Sequence, residues 1–346
     1  MNDAFDAVRL RAVYRGMSFL ERVAASPRHL NRFGSGLLYC CSFMAATAAD
    51  PGLRARARRL ALRGFRAWRA GNPLPASGFD SSSLIHFIQA YDAASRLGYR
   101  FPRVTAVLRQ AARGFSPEDL LWFDPRREAP PRDIPEACAC GTLNPRRART
   151  CAVCGQRLTN MSAMRAWYLC FTSAYCASKL DIALGVHYTD AIAWLPAMRR
   201  YRSPRHGIAA FYDSVYAITH VVYTLNDYGR FLLSPYWLPA EYNFLATHLN
   251  DAVALNDPDM VGEFLDTLRA FGLPASEPGL RHATQYLLDS QNPDGSWGAR
   301  EGAIDYRRFH ATWAAIDGLR DFRWKHEGLA FPQLRTTLTA WAALTS

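Results

Sequence analysis

The fold of this chain is decided by one octapeptide near the C-terminus, Gln291-Asn292-Pro293-Asp294-Gly295-Ser296-Trp297-Gly298. It follows a stretch with apolar residues at helical spacing, and comparable breaks follow two other C-terminal helices, at 271–274 and 318–321. The breaks recur in units of about forty residues, which is the scale of a helical hairpin. This pattern predicts stacked hairpins, and a closed ring of such hairpins would bury both helix layers around a central cavity.

The Gln-x-x-Asp-Gly-Ser-Trp-Gly spacing of this octapeptide resembles the repeat signature of the terpenoid cyclases, of the squalene-hopene-cyclase type, and of the related prenyltransferases. The resemblance covers roughly the C-terminal third of the chain. It implies an α/α toroid in which the Gln and the Trp brace one hairpin against the next. The acidic Asp-x-Asp-Asp motif of the cyclases and the zinc-binding Asp-x-Cys pair of the prenyltransferases are absent from the sequence. The resemblance therefore predicts a fold and leaves the reaction open.

The composition is that of a globular protein with a basic surface. The chain has 346 residues, of which 49% are hydrophobic and 13% aromatic, enough for one large helical domain or two smaller ones. The net charge of +11 comes mostly from arginines scattered over polar helix faces, and no basic block carries interleaved aromatics, so nucleic-acid binding is not expected. The sequence has no apolar run of the ~20 residues that span a bilayer and no signal-peptide pattern at the N-terminus. A cytoplasmic protein is the expectation.

Helical periodicity divides the chain into three parts. Residues 1–125 and 161–346 are predicted to form the N-terminal and C-terminal helical parts of the toroid. Between them, 126–160 combine a linker rich in Pro and charge with a cysteine module. The helices are predicted at 4–25, 30–49, 53–70, 82–97, 104–115, a short one after Ser116, 162–184, 190–200, 208–226, 241–255, 258–271, 278–290, 309–319 and 334–344.

Four of the eight cysteines form a metal-ligand pattern. Cys138 and Cys140 are followed after ten residues by Cys151 and Cys154, and a Gly comes directly after each pair. Two close thiolate pairs on Gly-terminated turns are how a zinc ribbon binds one tetrahedral Zn²⁺. Four thiolates fill the coordination shell, so the zinc is expected to be structural and to hold together a segment too short for its own core.

The zinc ribbon also suggests a docking function. Arg146, Arg147 and Arg149 lie on the loop between the two cysteine pairs, and they could contact a partner protein or a nucleic acid. The remaining cysteines are expected to be reduced and buried in apolar helices. They are Cys40, Cys41, Cys170 and Cys176.

One helix carries the best candidates for acid–base chemistry. Tyr216, His220, Tyr223 and Asp227 fall at i, i+4, i+7 and i+11, which places them on one face of a regular helix. A carboxylate beside an imidazole orients it and raises its basicity, and a phenol can donate a proton. In the structural alternative His220 is a hydrogen-bonded core histidine and Asp227 belongs to the helix end. His310, which opens a helix soon after the octapeptide, is a further candidate near the mouth of the ring.

A catalytic metal is a second interpretation of these residues. His220, Asp227, Glu263 and His310 could converge on Fe²⁺ or Zn²⁺, although no His-x-x-x-His or Glu-x-x-His pair supports this arrangement. Asp257 is expected to cap a helix that begins at Pro258.

Two functions follow from these patterns. The first is an enzyme of specialised metabolism, which binds a small hydrophobic or aromatic molecule in the toroid cavity and uses His220, Asp227, Tyr223 and His310. The second is a non-catalytic scaffold that docks a partner through the zinc ribbon. The polar helix face favours the enzyme, because a scaffold has little use for it.

Overall fold

The computed structural model describes residues 3–136, 138, 140, 142, 144–300, 302 and 304–343. The prediction of an all-α protein is confirmed, since 62% of the chain is helical and β structure among the described residues is confined to isolated bridges. The helices are α1 (Asp3–Ala25), α2 (Pro27–Thr47), α3 (Pro51–Gly71), α4 (Ser81–Arg96), α5 (Pro102–Ala112), α6 (Pro117–Leu121), α7 (Ala163–Lys179), α8 (Tyr188–Ile192), α9 (Leu195–Met198), α10 (Ile208–Leu225), α11 (Pro239–Ala254), α12 (Pro258–Ala270), α13 (Pro278–Asp289), α14 (Tyr306–Leu319) and α15 (Leu334–Ala343).

Local chemistry explains where most of these helices begin. Ser116 forms the predicted cap of α6, since its side chain accepts from the Asp119 N–H while the Asp119 carboxylate accepts from the Ser116 N–H. Asp257 caps α12 in the predicted way and Pro258 occupies the first turn. Because these signals are local, the sequence is sufficient to place these helix starts.

Two predicted helices are wrong in extent. The helix expected at 190–200 is two short helices, α8 and α9, because Pro196 has no N–H to donate to a continuing helix. The helix expected to reach Leu184 ends at Lys179, and Asp181 has a left-handed φ of 56°. The last residue of the predicted terminal helix, Leu344, lies outside the described residues.

The chain divides into two compact units. Unit 1 comprises Met1–Leu74, Ala93–Tyr99 and Val222–Ser346, and unit 2 comprises Pro75–Asp92 and Arg100–Val221. The predicted division of the helical body at residues 125 and 160 stays a prediction.

Unit 1 contains two series of neighbouring helices. In one series α11 contacts α13, α13 contacts α1, and α1 contacts α3. In the other α12 contacts α14, and α14 contacts α2. Each member of the first series also contacts a member of the second, so both ends of the chain contribute to one packed body. Its largest fully buried side chains include Phe19, Trp297 and Phe309.

The octapeptide binds three of these helices together. The Trp297 indole N–H donates to the Leu287 carbonyl of α13 at 2.7 Å, and the Trp297 backbone N–H donates to the Thr312 hydroxyl of α14 at 3.0 Å. Gln291 donates to the Ala12 carbonyl of α1 at 2.9 Å. Gln291 and Trp297 thus hold adjacent helices together.

Unit 2 contains α5 to α9, most of α4 and α10, and the cysteine module. The indole N–H groups of Trp167 and Trp194 donate to backbone carbonyls, of Ala191 and Pro125, at 2.7 and 2.8 Å. The module itself is anchored by a small apolar cluster in which Ile134 and Met161 pack with Ala166 of α7.

Candidate functional site

The four cysteines of the predicted ribbon lie together. Their sulfurs are all within 4.8 Å of one another, and the Cys138–Cys154 and Cys140–Cys151 sulfur pairs are 3.4 and 3.6 Å apart. Backbone N–H groups of Cys154 and Val153 directed at the Cys151 sulfur lower the pKa of that thiol to about 5. The cluster could therefore hold a metal ion. The predicted turn at Gly141 lies outside the described residues, whereas Gly155 has the left-handed φ of 71° that its turn requires.

The arginine loop of the module is partly used in holding the module together. Arg146 contacts Glu128 at 2.7 Å and Asp133 at 2.6 Å, and Arg147 contacts Asp133 at 2.9 Å. These ion pairs fasten the loop to the linker before the first cysteine. Arg147 remains 81% exposed, but Arg146 forms ion pairs with two carboxylates of the same chain. This pairing of Arg146 weakens the case for a docking loop.

A line of polar side chains follows one face of α12 in unit 1. Asp259, Glu263, Asp266 and Thr267 are spaced i, i+4, i+7 and i+8, so they share a helix face. Glu263 and Thr267 are only 3% and 0% exposed. Polar groups at this depth need hydrogen-bond or ion-pair partners, so the side chains packed against this face decide what it can do.

The neighbouring helix α14 presents a second polar face. His310, Trp313 and Asp317 are spaced i, i+3 and i+7 along it. The two helices approach closely at Gly262 of α12 and Gly318 of α14. A Cβ on Gly262 would lie 2.5 Å from the Ala314 backbone. This contact fixes the spacing between the two polar faces.

The two faces meet at His310, Asp259 and Glu263. The His310 Nδ1 lies 2.8 Å from an Asp259 carboxylate oxygen, and one ligand atom of each of the three residues lies within 4.8 Å of the others. Burial lowers the pKa of His310, but the carboxylates, Asp259 first, outweigh that effect and raise it well above its usual value. His310 and Asp259 retain 17% and 18% of their side-chain exposure.

Tyr223 reaches the same region from α10. Its hydroxyl donates to the Glu263 carbonyl oxygen at 3.3 Å. Burial, and then the carboxylates of Glu263 and Asp266, raise the pKa of this phenol well above 10, so it stays protonated. The structure thus brings together two of the predicted catalytic residues, Tyr223 and His310, around Glu263.

The other two predicted residues have different surroundings. α10 ends at Leu225 and Asp227 lies beyond it at a left-handed φ of 55°, so the expected regular helix face stops before Asp227. The buried Asp227 carboxylate is held by Arg96 at 3.0 Å and by Arg230 at 3.1 Å. This placement corresponds to the helix-end alternative. The His220 Nδ1 lies 2.8 Å from the Tyr216 carbonyl, and its ring packs on Tyr168. A shared acid–base role for His220 and Asp227 stays a prediction.

Sequence reasoning missed two buried charged residues of unit 1, Asp266 and Arg320. Asp266 is buried to 7% exposure, and that burial, followed by the charge of Asp317, raises its pKa to about 8. Arg320, which is 2% exposed, donates to Asp317 and to the Thr47 hydroxyl, and its guanidinium stacks on the Phe322 ring. The spacing of Asp259, Glu263 and Asp266 along one helix was the available signal.

Unit 2 has an apolar groove of about 720 Å³ between the segment 75–79 and α5. Its walls include Phe79, Val107 and Phe115, and Gln110 is its only polar side chain. The groove can receive an apolar group but offers no ionisable residue for chemistry.

Comparison with known proteins gives one partial match. Residues 190–316 match the family model described as a domain of unknown function (DUF6895). No curated protein matches the chain. The matched segment includes α12, the octapeptide and most of α14 and leaves out the cysteine module. Within the described part of the chain, no helix has both the length and the apolar character that a membrane span requires.

Proposed function

We propose that this chain is an enzyme of specialised metabolism with an α/α toroid fold, which acts on a small hydrophobic or aromatic molecule. The observation that carries the proposal is the meeting of His310, Asp259 and Glu263 between two helices, within 4.8 Å of one another. Clustered ionisable groups with shifted pKa values are typical of catalytic sites.

The toroid part of the proposal is supported by the order of helix contacts in unit 1. In a ring of helical hairpins, outer helices neighbour outer helices and inner helices neighbour inner ones. The series α11, α13, α1, α3 and the series α12, α14, α2 have this relationship. In such a ring α12 and α14 are inner helices, and their polar faces line the cavity.

The residues around His310 suit an apolar or aromatic substrate. The rings of Tyr306 and Trp313 lie 5.5 and 5.4 Å from the imidazole, between ring centres. Aromatic walls with a few convergent polar groups are the usual lining of a small-molecule site. Glu263 and His310 are the residues assigned to the reacting atoms, and the Tyr223 hydroxyl positions Glu263 through its carbonyl.

Zinc is the metal proposed for the cysteine cluster. Zn–S bonds of about 2.3 Å place the sulfurs of a tetrahedral site roughly 3.8 Å apart, close to the observed sulfur pairs. The site is structural, because four thiolates leave no position for a reacting water. A reducing compartment such as the cytoplasm is proposed with it, since thiolate zinc sites and buried thiols need one.

A thermal-shift screen tests the enzyme proposal without knowledge of the reaction. Terpenoid, polyketide-like and aromatic compounds are added to the wild type and to the variants Glu263→Gln and Tyr223→Phe, with Asp251→Asn on the surface of α11 as the control. A ligand that binds the folded state raises the unfolding temperature. We expect at least one compound to do so in the wild type and the control and to lose its effect in the two site variants. If no compound shifts the wild type, or the site variants respond fully, the proposal fails.

A further inference from the structure

We infer that Asp259, Glu263 and His310 form a binding site for a divalent transition-metal ion, separate from the cysteine cluster. The inference deepens the proposed function, on which its catalytic meaning rests, because it places the metal at the same three residues. Metal binding itself is measurable without any substrate, so the two proposals can fail independently.

The geometry of the three side chains fits a metal ion. Metal–nitrogen and metal–oxygen bonds of about 2.0–2.2 Å place adjacent ligand atoms about 3 Å apart and opposite ones somewhat more than 4 Å apart. The His310 Nδ1 and the Asp259 oxygen are 2.8 Å apart, and the Glu263 oxygen completes a set within 4.8 Å. Where a separation exceeds the ~4.4 Å that two such bonds can span, rotation of a side chain can close it, so one ion can be bound by all three residues while the helices stay in place.

The packing of α12 on α14 positions these three side chains. Asp259 and Glu263 lie one turn apart on α12 and so point the same way. The close approach of α12 and α14 at Gly262 and Gly318 places His310 opposite them. A site built on two packed helices is held more firmly than one on loops, which is what a metal site needs.

Charge and ligand chemistry favour a divalent ion. A metal ion that binds the His310 Nδ1 displaces the proton from that nitrogen. The two carboxylates and the neutral imidazole then carry two negative charges, which a divalent cation offsets. One nitrogen and carboxylate oxygens suit Mn²⁺, Fe²⁺ or Zn²⁺. Three protein ligands leave coordination positions for water or substrate, in contrast to the four thiolates of the cysteine cluster.

Manganese binding tests the inference, because Mn²⁺ prefers oxygen and nitrogen over thiolate ligands. Full-length protein is stripped of metal, given one equivalent of Zn²⁺ for the cysteines, and titrated with Mn²⁺ while electron paramagnetic resonance follows the free ion. We expect the wild type to bind one Mn²⁺ per chain. Substitution of a residue that only hydrogen-bonds to a metal ligand typically weakens metal binding ~10–100-fold. Loss of a ligand itself should weaken binding at least as much, so we expect Glu263→Gln and His310→Gln to bind Mn²⁺ at least ~10-fold more weakly.

The control is a second His–Asp pair, which belongs to no possible metal-binding group of three found among the described residues. His248 lies 2.6 Å from Asp251 on α11, and Asp251→Asn should leave Mn²⁺ binding unchanged. Unfolding temperatures of the metal-free variants show whether each one folds, and Asp259→Asn serves as the replacement if one does not. A wild type that binds no Mn²⁺, or site variants that bind it as tightly as the wild type, overturns the inference and leaves His310 and Asp259 as an ion pair.

The two experiments together distinguish a failure of the metal inference from a failure of the enzyme proposal. If Mn²⁺ does not bind but Glu263→Gln abolishes the ligand-induced thermal shift, the metal inference is wrong and the enzyme proposal stands. If Mn²⁺ binds and no ligand is found, the metal inference stands and the enzyme proposal fails.

Discussion

Substitution of Gly262 by alanine would separate the helices that carry the site. A Cβ at this position would lie 2.5 Å from both the carbon and the oxygen of the Ala314 carbonyl and 2.7 Å from the Ala315 nitrogen. Ordinary contact begins at 3.4 Å, so α12 and α14 would have to separate by about 0.9 Å. These are backbone atoms, which cannot rotate away as a side-chain tip could. The strain therefore spreads into both helices.

The cost can be estimated from known core substitutions. Overpacking typically destabilises by about 1–3 kcal/mol, and the backbone contacts place Gly262→Ala at or above the upper end. The better helix propensity of alanine offsets up to about 1 kcal/mol of this loss in stability. We expect a net loss of about 2–3 kcal/mol, which is roughly 5–10 °C in the unfolding temperature of a unit of this size.

Gly36→Ala in α2 is the matched control for this substitution. A Cβ at Gly36 would meet the Phe309 ring at 3.6 Å, which is ordinary contact, so the substitution should stabilise the helix by about 0.5–1 kcal/mol. Circular dichroism with heat and with urea measures both variants. Equal effects of the two substitutions, or a Gly262→Ala variant as stable as the wild type, would refute the claim that α12 and α14 touch at their backbones.

Three further predictions concern the metal cluster, the core and a buried charge. Protein loaded with Zn²⁺ should lose it under mild chelation in Cys151→Ser and keep it in Cys176→Ser, a substitution at a buried thiol outside the cluster, as elemental analysis will show. Zinc retained by Cys151→Ser would exclude the ribbon. Trp297→Ala should destabilise the protein by about 3–5 kcal/mol, because the Trp297 side chain is fully buried. The control Tyr236→Ala changes a residue that is 84% exposed and should cost less than about 0.5 kcal/mol. Similar urea midpoints for the two variants would contradict the bracing role of Trp297. Asp266 has a pKa near 8 when folded and about 3.9 when unfolded, so the folded state holds the extra proton and its stability falls as pH rises through that window. Asp266→Asn should remove this pH dependence, so its free energy of unfolding should rise by roughly 2–4 kcal/mol relative to that of the wild type as the pH goes from 5 to 8. If the unfolding free energies of the two proteins ran parallel over this pH range, the carboxyl would not be buried as described.

Local signals in the sequence were enough for most of the helices. Prolines in first turns and capping residues such as Ser116 and Asp257 act over three or four residues, so a sequence contains all that they need. The helix at 190–200 was misjudged because Pro196 falls inside an apolar pattern, and the pattern was given more weight than the missing donor.

The site was only partly predictable because its members come from distant positions. Asp259 directly follows the predicted helix start at Pro258, and its partner His310 is 51 residues away in sequence. Asp227 was aligned with His220 by assuming that the helix continued, whereas the helix ends at Leu225 and Arg96 takes the carboxylate. Neither the packing of α12 on α14 nor the reach of an arginine 131 positions away is encoded in local spacing.

Anomalous X-ray scattering from crystals soaked in Mn²⁺ is the most direct test of the metal site proposed between α12 and α14. Data at the manganese edge locate the ion independently of any assay. We expect one peak at bonding distance, about 2.0–2.3 Å, from the His310 Nδ1 and from carboxylate oxygens of Asp259 and Glu263. A map with no peak at these residues, or with manganese only at the cysteine cluster, would contradict the metal inference.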